Sequence, residues 1–136
     1  MRSPIRIDRI AAFILVVSSG VANAQPAPRF TEQGGEAIFK GVCQGCHMPG
    51  GAGAVGAGRY PALACDPNLT GRGYPLVIIV NGQKAMPAFG ELLSDRQIAD
   101  VVNYIRSNFG NHFTDEVTVN EVKAVRPHPE RGDLIK

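Results

Sequence analysis

Cysteine is scarce in this chain of 136 residues, which contains only Cys43, Cys46 and Cys65. Cys43 and Cys46 form a C-x-x-C pair, but a zinc site requires a second pair of cysteine or histidine ligands. The chain offers no such pair at metal-ligand spacing. A thioredoxin-like disulfide would need a βαβ pattern around the C-x-x-C pair, and the sequence does not show one. The scarcity of cysteine therefore argues against both kinds of site.

Long apolar runs are also missing. The N-terminal run from Ile10 to Val17 is well short of the roughly eighteen residues that span a bilayer. It follows three arginines within the first nine residues and precedes the small residues Ala22-Asn23-Ala24. This arrangement is typical of a secretory signal, so we predict a signal peptide over residues 1–24 and a periplasmic location. An uncleaved anchor is the alternative, and no other segment could cross a membrane.

The chain lacks a marked excess of charge of either sign. It has 14 Lys and Arg against 12 Asp and Glu, and residues 1–24 hold three of the arginines and one aspartate. Eleven charged residues of each sign remain after the predicted cleavage. A nearly neutral domain gives no reason to expect nucleic-acid binding, and docking on a redox partner would depend on local patches.

What the chain does contain is the C-x-x-C-H run Cys43-Gln44-Gly45-Cys46-His47. In this pattern each thiol can add to a vinyl group of a porphyrin, and the histidine then becomes the proximal ligand of the iron. We therefore predict a covalently attached haem c held by Cys43, Cys46 and His47. The sequence has no second C-x-x-C-H run, so one haem per chain is expected.

The residues before and after this run predict a helix and a loop. Thr31 can cap a helix that continues through residues 32–42 into the C-x-x-C-H run. Gly34 and Gly35 each lower its helix propensity by about 1 kcal/mol relative to alanine, so we expect another element to approach closely there. The segment Pro49 to Gly58 is rich in glycine and alanine and is typical of an irregular loop.

The stretch from Tyr74 to Gly82 is ambiguous. Its run Leu76 to Val80 favours a buried strand by composition, whereas Pro75 suits the first position of a helix and Asn81-Gly82 suits a helix C-terminus. Composition alone favours the strand.

Two capping boxes predict the C-terminal helices. Ser94 to Gln97 is the first, and the apolar residues that follow it at helical spacing predict an amphipathic helix that includes Phe109 and ends at Gly110. Thr118 to Glu121 is the second and predicts a short helix that Pro127 stops.

The sixth position of the iron separates electron carriers from haem enzymes and gas sensors. Beyond the signal peptide, Met48 and Met86 are the only thioether donors. Met48 follows His47 directly, so its side chain is tied to the proximal side of the ring. Met86 lies in a loop between two predicted elements, where Pro87 stiffens the backbone. We therefore predict Met86 as the sixth ligand.

Lys84 and His112 are the competing donors for the sixth position. A thioether opposite an imidazole stabilises ferrous iron and raises the potential, whereas a lysine or histidine in that place would lower it. A methionine is also a common filler of protein cores, and without the haem motif that role would be favoured for Met86.

Together these features resemble a class I c-type cytochrome from about Thr31 to Phe109. The resemblance is carried by the C-x-x-C-H run, Tyr60-Pro61-x-Leu63, the loop Asn81-Gly82-x-x-Ala85-Met86-Pro87-x-Phe89, and Tyr104. It implies a small all-α fold in which the N- and C-terminal helices cross around one covalent haem, at a contact between a glycine and an aromatic residue. It also implies a helix rather than a strand over Pro75 to Val80.

The resemblance further implies roles for single residues. The carbonyl of Pro61 would accept the Nδ1 proton of His47 and so orient the imidazole, unless Pro61 is an ordinary loop proline. Arg59 and Tyr60 could reach the haem propionates or be solvated loop residues. Tyr104 would be a core aromatic at the helix crossing.

Beyond the predicted signal peptide, the chain divides into two parts. We predict a cytochrome c domain over residues 25–111 and a C-terminal extension over 112–136 that is partly helical or mobile. The chain is similar to small monohaem subunits or acceptors of periplasmic dehydrogenases, such as p-cresol methylhydroxylase-like flavocytochromes. The segment Val117 to Val122 is similar to cytochrome domains attached to alcohol dehydrogenases. Cys65 departs from the pattern, and we expect it to be a small buried residue or a thiol that links two chains.

These features predict an electron carrier that accepts single electrons from a dehydrogenase and passes them to a downstream cytochrome or oxidase of the respiratory chain. No catalytic residue is predicted, because the sequence has no nucleotide-binding loop and no Ser-His-Asp set. A haem-based sensor or peroxidase with an exchangeable sixth ligand is the alternative, and only His112 and His128 could serve it as distal groups. A haem-free thiol oxidoreductase is the third hypothesis.

Overall fold

The computed structural model describes residues 30–56 and 58–127. The predicted signal peptide, His128 and the rest of the C-terminal tail lie outside the described residues. In chain order the elements are α1 (Gly35–Ile38), a π-helical segment (Phe39–Cys43), α2 (Gln44–His47), a 3-10 turn (Pro49–Gly51), β1 (Ala54–Val55), β2 (Arg59–Tyr60), a second 3-10 turn (Pro67–Thr70), α3 (Gly73–Asn81), α4 (Asp95–Ser107) and α5 (Val119–Val125). Helices predominate, so the predicted all-α fold class is confirmed.

The first helical stretch runs without interruption from α1 through the π-helical segment into α2 and the C-x-x-C-H run. The prediction that Thr31 caps it is wrong, because the helix begins at Gly35 after Gly34. Gly34 has a φ of 80°, which breaks the helical path. The side-chain amide of Gln97 donates to the carbonyls of Phe30 and Glu32 at 2.8 and 2.9 Å, so α4 holds the preceding segment outside the helix.

Helices α1 and α4 cross at Gly35. A Cβ atom on Gly35 would lie 2.2 Å from the carbonyl oxygen of Asp100 and 2.4 Å from Cβ of Tyr104, so only glycine allows the two backbones this close. The ring of Tyr104 packs 5.9 Å from that of Phe39. The expected contact between a glycine and an aromatic residue is therefore present, and Gly35 rather than Gly34 supplies the glycine.

Helix α3 occupies the stretch whose composition suggested a strand. The helix implied by the family resemblance is confirmed, and the strand is wrong. Leu76, Ile79 and Val80 are all buried, and their i, i+3 and i+4 spacing places them on one helical face against the core. Tertiary burial of that face outweighs the β propensity of its branched residues.

Helix α4 has the predicted capping box, since the Ser94 side chain accepts the Gln97 amide and the Gln97 side chain accepts the Ser94 amide. The helix ends at Ser107 rather than at Gly110, because Asn108 is extended and Phe109 has a φ of 58°. This turn brings the Phe109 ring to 4.7 Å from the ring of Phe39. Phe109 therefore reaches the core from a turn and not from the helix.

Helix α5 also begins at the predicted capping box, formed by Thr118 and Glu121. It packs against α3 and α4 and buries Val122 completely. Val117, in the segment leading to it, is also buried. The part of the C-terminal extension that the structure describes is therefore packed on the rest of the chain.

A buried arginine fastens α4 to two loops. Arg106 is 1% exposed, and its guanidinium donates to the carbonyls of Leu69 at 2.9 Å and Thr70 at 3.1 Å. It also donates to the backbone carbonyl and, at 2.6 Å, to the carboxylate of Asp115, and lies 5.5 Å from the centre of the Phe113 ring. A buried charge is tolerated when it is paired and hydrogen-bonded in this way.

We expect Asp115→Asn to lower the free energy of unfolding at neutral pH and to weaken its dependence on acid. The hydrogen bond from Arg106 lowers the pKa of Asp115 below its usual 3.8, so the folded state binds this proton less tightly than the unfolded chain. The stabilisation is present above the unfolded pKa and is lost as the pH falls through the folded one. Denaturant titrations at several pH values measure this free energy of unfolding in the variant and in the unaltered protein.

Asp100→Asn provides the matched control, because Asp100 pairs with Arg96, whose side chain is 74% exposed. An ion pair with one partner this exposed is screened by solvent and contributes little. Equal losses in the two variants would contradict the assigned role of the Arg106–Asp115 pair.

Candidate haem-binding site

His47 ends helix α2 and is 8% exposed. Its Nδ1 lies 3.0 Å from the carbonyl oxygen of Pro61. Since a carbonyl can only accept a hydrogen bond, this contact places the proton on Nδ1 and leaves the Nε2 lone pair available for a metal. The hydrogen bond that the family resemblance implied is thus present. Partners of this kind orient a metal-binding imidazole and raise its basicity.

Gly53 brings the Pro61 carbonyl to His47. A Cβ atom on Gly53 would lie 2.6 Å from both the Tyr60 carbonyl oxygen and the Ala62 nitrogen, and its φ of 69° also favours glycine. The Gly53 amide donates to the His47 carbonyl at 2.9 Å. Sequence reasoning missed this role because it treated the glycine-rich segment as irregular throughout.

Part of that segment is ordered as a short antiparallel ladder. Ala54 pairs with Tyr60 and Val55 pairs with Arg59, which makes β1 and β2 a two-stranded sheet. The ladder and Gly53 together set the path of the chain that passes His47. Glycine is the residue that permits such a close backbone approach, but the composition of the segment does not show which of its glycines is approached or by what.

The two cysteines of the C-x-x-C-H run differ in exposure. Cys43 ends the π-helical segment and is half-buried, whereas Cys46 in α2 is exposed. Burial raises the pKa of the Cys43 thiol to about 12, so this sulfur is protonated at neutral pH. Both thiols are free. Both lie in the helical stretch that ends at His47, and their attachment to one porphyrin stays a prediction.

Met86 lies in the segment between α3 and α4. Residues 82–89 of that segment, which we call the ligand loop after the role predicted for Met86, make a tight turn. In it the amides and carbonyls of Gln83 and Met86 bond to each other at 3.0 and 2.9 Å. The Met86 side chain is half-buried against the hydrophobic core. Lys84 is exposed, with a φ of 54°. Met86 is therefore the donor of the loop that packs inward.

His112 lies elsewhere on the surface. It is exposed and lines a cavity of about 320 Å³ together with Cys65, Asp66 and Phe113. Neither His47 nor Met86 lines this cavity.

Arg59 and Tyr60 line a second, open cavity of about 450 Å³ beside Pro61. Both are exposed, with Tyr60 at 40%. A guanidinium and a phenol at the edge of the site have the chemistry to bind carboxylates such as haem propionates. Their participation stays a prediction.

The expectation that Cys65 is a small buried residue is wrong, because Cys65 is exposed. Its φ of 50° places it in a tight turn before the second 3-10 segment, and its sulfur lies 3.8 Å from the Phe109 carbonyl oxygen. The backbone amide of Cys65 also donates to that carbonyl at 3.0 Å. These two contacts with the Phe109 carbonyl hold the Cys65 thiol at the surface.

The residues present fit a covalent haem, which Cys43 and Cys46 would attach and His47 would bind. The His47 imidazole supports this fit, because Nδ1 lies 3.0 Å from the Pro61 carbonyl and Nε2 is then the nitrogen that would bind iron. Among residues 30–56 and 58–127, no group of three or more His, Cys, Asp or Glu could hold a metal ion. Each helix in these ranges is too short or too polar to cross a bilayer.

The fold and the site define a small monohaem c-type cytochrome of class I. Residues 31–105 match the family model described as cytochrome c oxidase, cbb3-type, subunit III, and the chain belongs to this family of c-type cytochrome domains. Covalently bound haem c is accordingly its cofactor. The chain is an electron carrier rather than an enzyme.

Curated relatives fall into two groups by length. The chain is 36% identical to the gluconate 2-dehydrogenase cytochrome c subunit of Pantoea cypripedii and 33% identical to the fructose dehydrogenase cytochrome subunit of Gluconobacter japonicus. These matches cover 69% and 75% of this chain but 24% of each subunit. It is also 36% identical to cytochrome c6 of Bumilleriopsis filiformis, over 55% of this chain and 88% of that protein. The chain thus spans about a quarter of the dehydrogenase subunits and matches most of the small cytochrome.

Proposed function

We propose that this chain is a periplasmic cytochrome that accepts single electrons from a dehydrogenase and passes them to a downstream cytochrome or oxidase of the respiratory chain. In this proposal Cys43 and Cys46 attach the haem, His47 is the proximal ligand and Met86 is the sixth ligand. The hydrogen bond between His47 and Pro61 carries the assignment, because it holds the imidazole in the tautomer that binds iron.

The haem supplies an iron that gains and loses one electron without the making or breaking of a substrate bond. The residues of the chain set the conditions for that exchange. Pro61 holds His47 in one orientation, and an imidazole together with a thioether as iron ligands would favour the ferrous state. Met86, packed against the core, would keep water and other ligands off the second face of the ring.

The dehydrogenase partner is proposed from the relatives. The gluconate 2-dehydrogenase and fructose dehydrogenase subunits are named as cytochrome subunits of dehydrogenases, and a region of each is similar to this chain. The periplasmic location is proposed from the signal-like residues 1–24. Purification of the tagged protein from its host at low salt tests the partner, and a dehydrogenase retained in stoichiometric amount would support it. Repeated recovery of the cytochrome alone would favour a diffusible carrier instead.

We expect Met86→Ala to leave the haem attached while it lowers the reduction potential and opens the iron to added ligands. Loss of the thioether removes the ligand that favours ferrous iron, so the potential should fall by on the order of 100 mV, a fraction of the range of about 0.8 V that axial ligands span. A redox titration and carbon monoxide binding by the reduced protein at neutral pH measure the two effects.

Met48→Ala is the matched control, since Met48 adjoins His47 in the chain and belongs to the proximal side. It should change neither the potential nor carbon monoxide binding appreciably. An unchanged potential in the Met86 variant would refute the role of Met86. Ready carbon monoxide binding by the unaltered reduced protein would favour the haem-based sensor or peroxidase.

A further inference from the structure

Arg126 follows α5 and binds the segment that comes after the ligand loop. Its guanidinium donates to the Leu93 carbonyl at 2.8 Å and also contacts the Gly90 carbonyl and the carboxylate of Asp95. The side chains of Arg126 and Asp95 are 19% and 8% exposed, so this contact is largely shielded from solvent. A planar guanidinium can serve three acceptors at once, which a lysine ammonium matches poorly.

The backbone connects this contact to Met86. The Phe89 amide donates to the Ile79 carbonyl at 2.9 Å, and the Gly90 amide donates to the Val80 carbonyl at 3.1 Å. The end of the ligand loop is therefore held between helix α3 on one side and Arg126 on the other. Pro87, directly after Met86, restricts the short stretch of chain that remains.

Further contacts close this segment on itself. The amides of Leu92 and Leu93 both donate to the Phe89 carbonyl, at 3.0 and 2.9 Å. Leu93, whose own carbonyl accepts from Arg126, is 3% exposed. Two backbone hydrogen bonds and one buried side chain therefore connect the segment that Arg126 contacts to Phe89, the last residue of the ligand loop.

Helix α5, which precedes Arg126, is packed against the rest of the chain. Val122 is fully buried, and Arg72, just before α3, binds Glu121 at 2.9 Å and Asp115 at 3.5 Å. The Arg72 contacts lie towards the N-terminal end of α5 and involve no residue of the ligand loop or of 90–95. Arg72 therefore contacts α5 and the segment before it, whereas Arg126 contacts the segment after the ligand loop, so replacing each arginine tests a different contact.

We propose that Arg126 is a positioning residue for Met86, which fastens the end of the ligand loop so that the thioether stays on the iron. The proposal rests on the proposed function, in which Met86 is the sixth ligand. An added ligand can bind ferric iron only when Met86 has left it, and its apparent affinity is set by the fraction of molecules that are open. Weaker fastening of the loop raises that fraction.

The test is imidazole binding to the ferric holoprotein at neutral pH, followed spectroscopically under conditions where every variant is folded. Arg126→Met keeps most of the side-chain volume and removes the donors, and it should raise the apparent imidazole affinity by about tenfold, the effect expected for loss of a charge-assisted contact. Arg126→Lys keeps the charge and should show a smaller rise. The reduction potential should fall in the same order.

Arg72→Met is the matched control because it loosens α5 at its other contact. It should change the imidazole affinity by less than about twofold, even where its denaturant midpoint falls as far as that of Arg126→Met. An Arg126→Met affinity within twofold of the unaltered protein would overturn the proposal, as would an equal rise in Arg72→Met. Should Arg126→Met not fold, Arg126→Lys takes its place, and an unchanged affinity in that variant would overturn the proposal equally.

Met86→Ala separates this proposal from the one on which it rests. If Met86→Ala raises the imidazole affinity and Arg126→Met does not, the ligand assignment stands and the positioning role is lost. If Met86→Ala leaves the imidazole affinity unchanged, Met86 is not the sixth ligand, and both the ligand assignment and the positioning role of Arg126 are lost.

Discussion

Replacement of both Cys43 and Cys46 with serine should yield a chain that retains no haem after denaturation. Serine cannot form the thioether bonds, so any haem that binds would leave when the fold is opened. We also expect the variant to accumulate poorly, because a domain of this size buries a limited fraction of its surface and a bound cofactor would add to its stability. Mass measurement of the denatured chain and a haem stain on a denaturing gel report the loss directly.

Cys65→Ser supplies the control. Cys65 is exposed and free, it lies outside the C-x-x-C-H run, and its replacement should leave one haem covalently bound. Single replacements of Cys43 or Cys46 should retain the haem through one bond and in lower yield. Covalent haem in the double variant, or its loss in Cys65→Ser, would contradict the attachment assigned here.

Gly35→Ala should destabilise the holoprotein by about 3 kcal/mol or more, at the upper end of the cost of overpacking. The added Cβ would lie 2.2 Å from the Asp100 carbonyl oxygen and 2.4 Å from Cβ of Tyr104, so helices α1 and α4 must separate. Separation would disturb the Phe39, Tyr104 and Phe109 rings that pack next to the crossing. Denaturant unfolding of the holoprotein, followed by its helical signal, measures the loss.

Gly73→Ala is the comparison, because Gly73 is also helical and a Cβ atom there would meet nothing within 4 Å. Alanine should be neutral or slightly stabilising at that position, since it has the higher helix propensity. Equal destabilisation in the two variants would show that the effect at Gly35 does not come from the helix crossing.

Local patterns predicted the helices well where the signal lies within a few consecutive residues. The capping boxes at Ser94 and Thr118 were confirmed, because both partners of a capping box lie within one turn. The start at Thr31 was wrong because Gln97 holds the preceding segment from a distant helix. The strand-like composition of α3 misled for a related reason, since packing of one helical face decided its conformation.

The sequence by itself determined the cofactor and the class of protein, because haem attachment needs two thiols and an imidazole at a spacing that five consecutive residues provide. It also restricted the thioether donor to two methionines. The tertiary structure decided which glycine lies at the helix crossing, that Gly53 admits the Pro61 carbonyl to His47, and that Arg126 fastens the segment after the ligand loop. Those contacts join residues that are distant in the chain, and only the packing of the helices brings their backbones together.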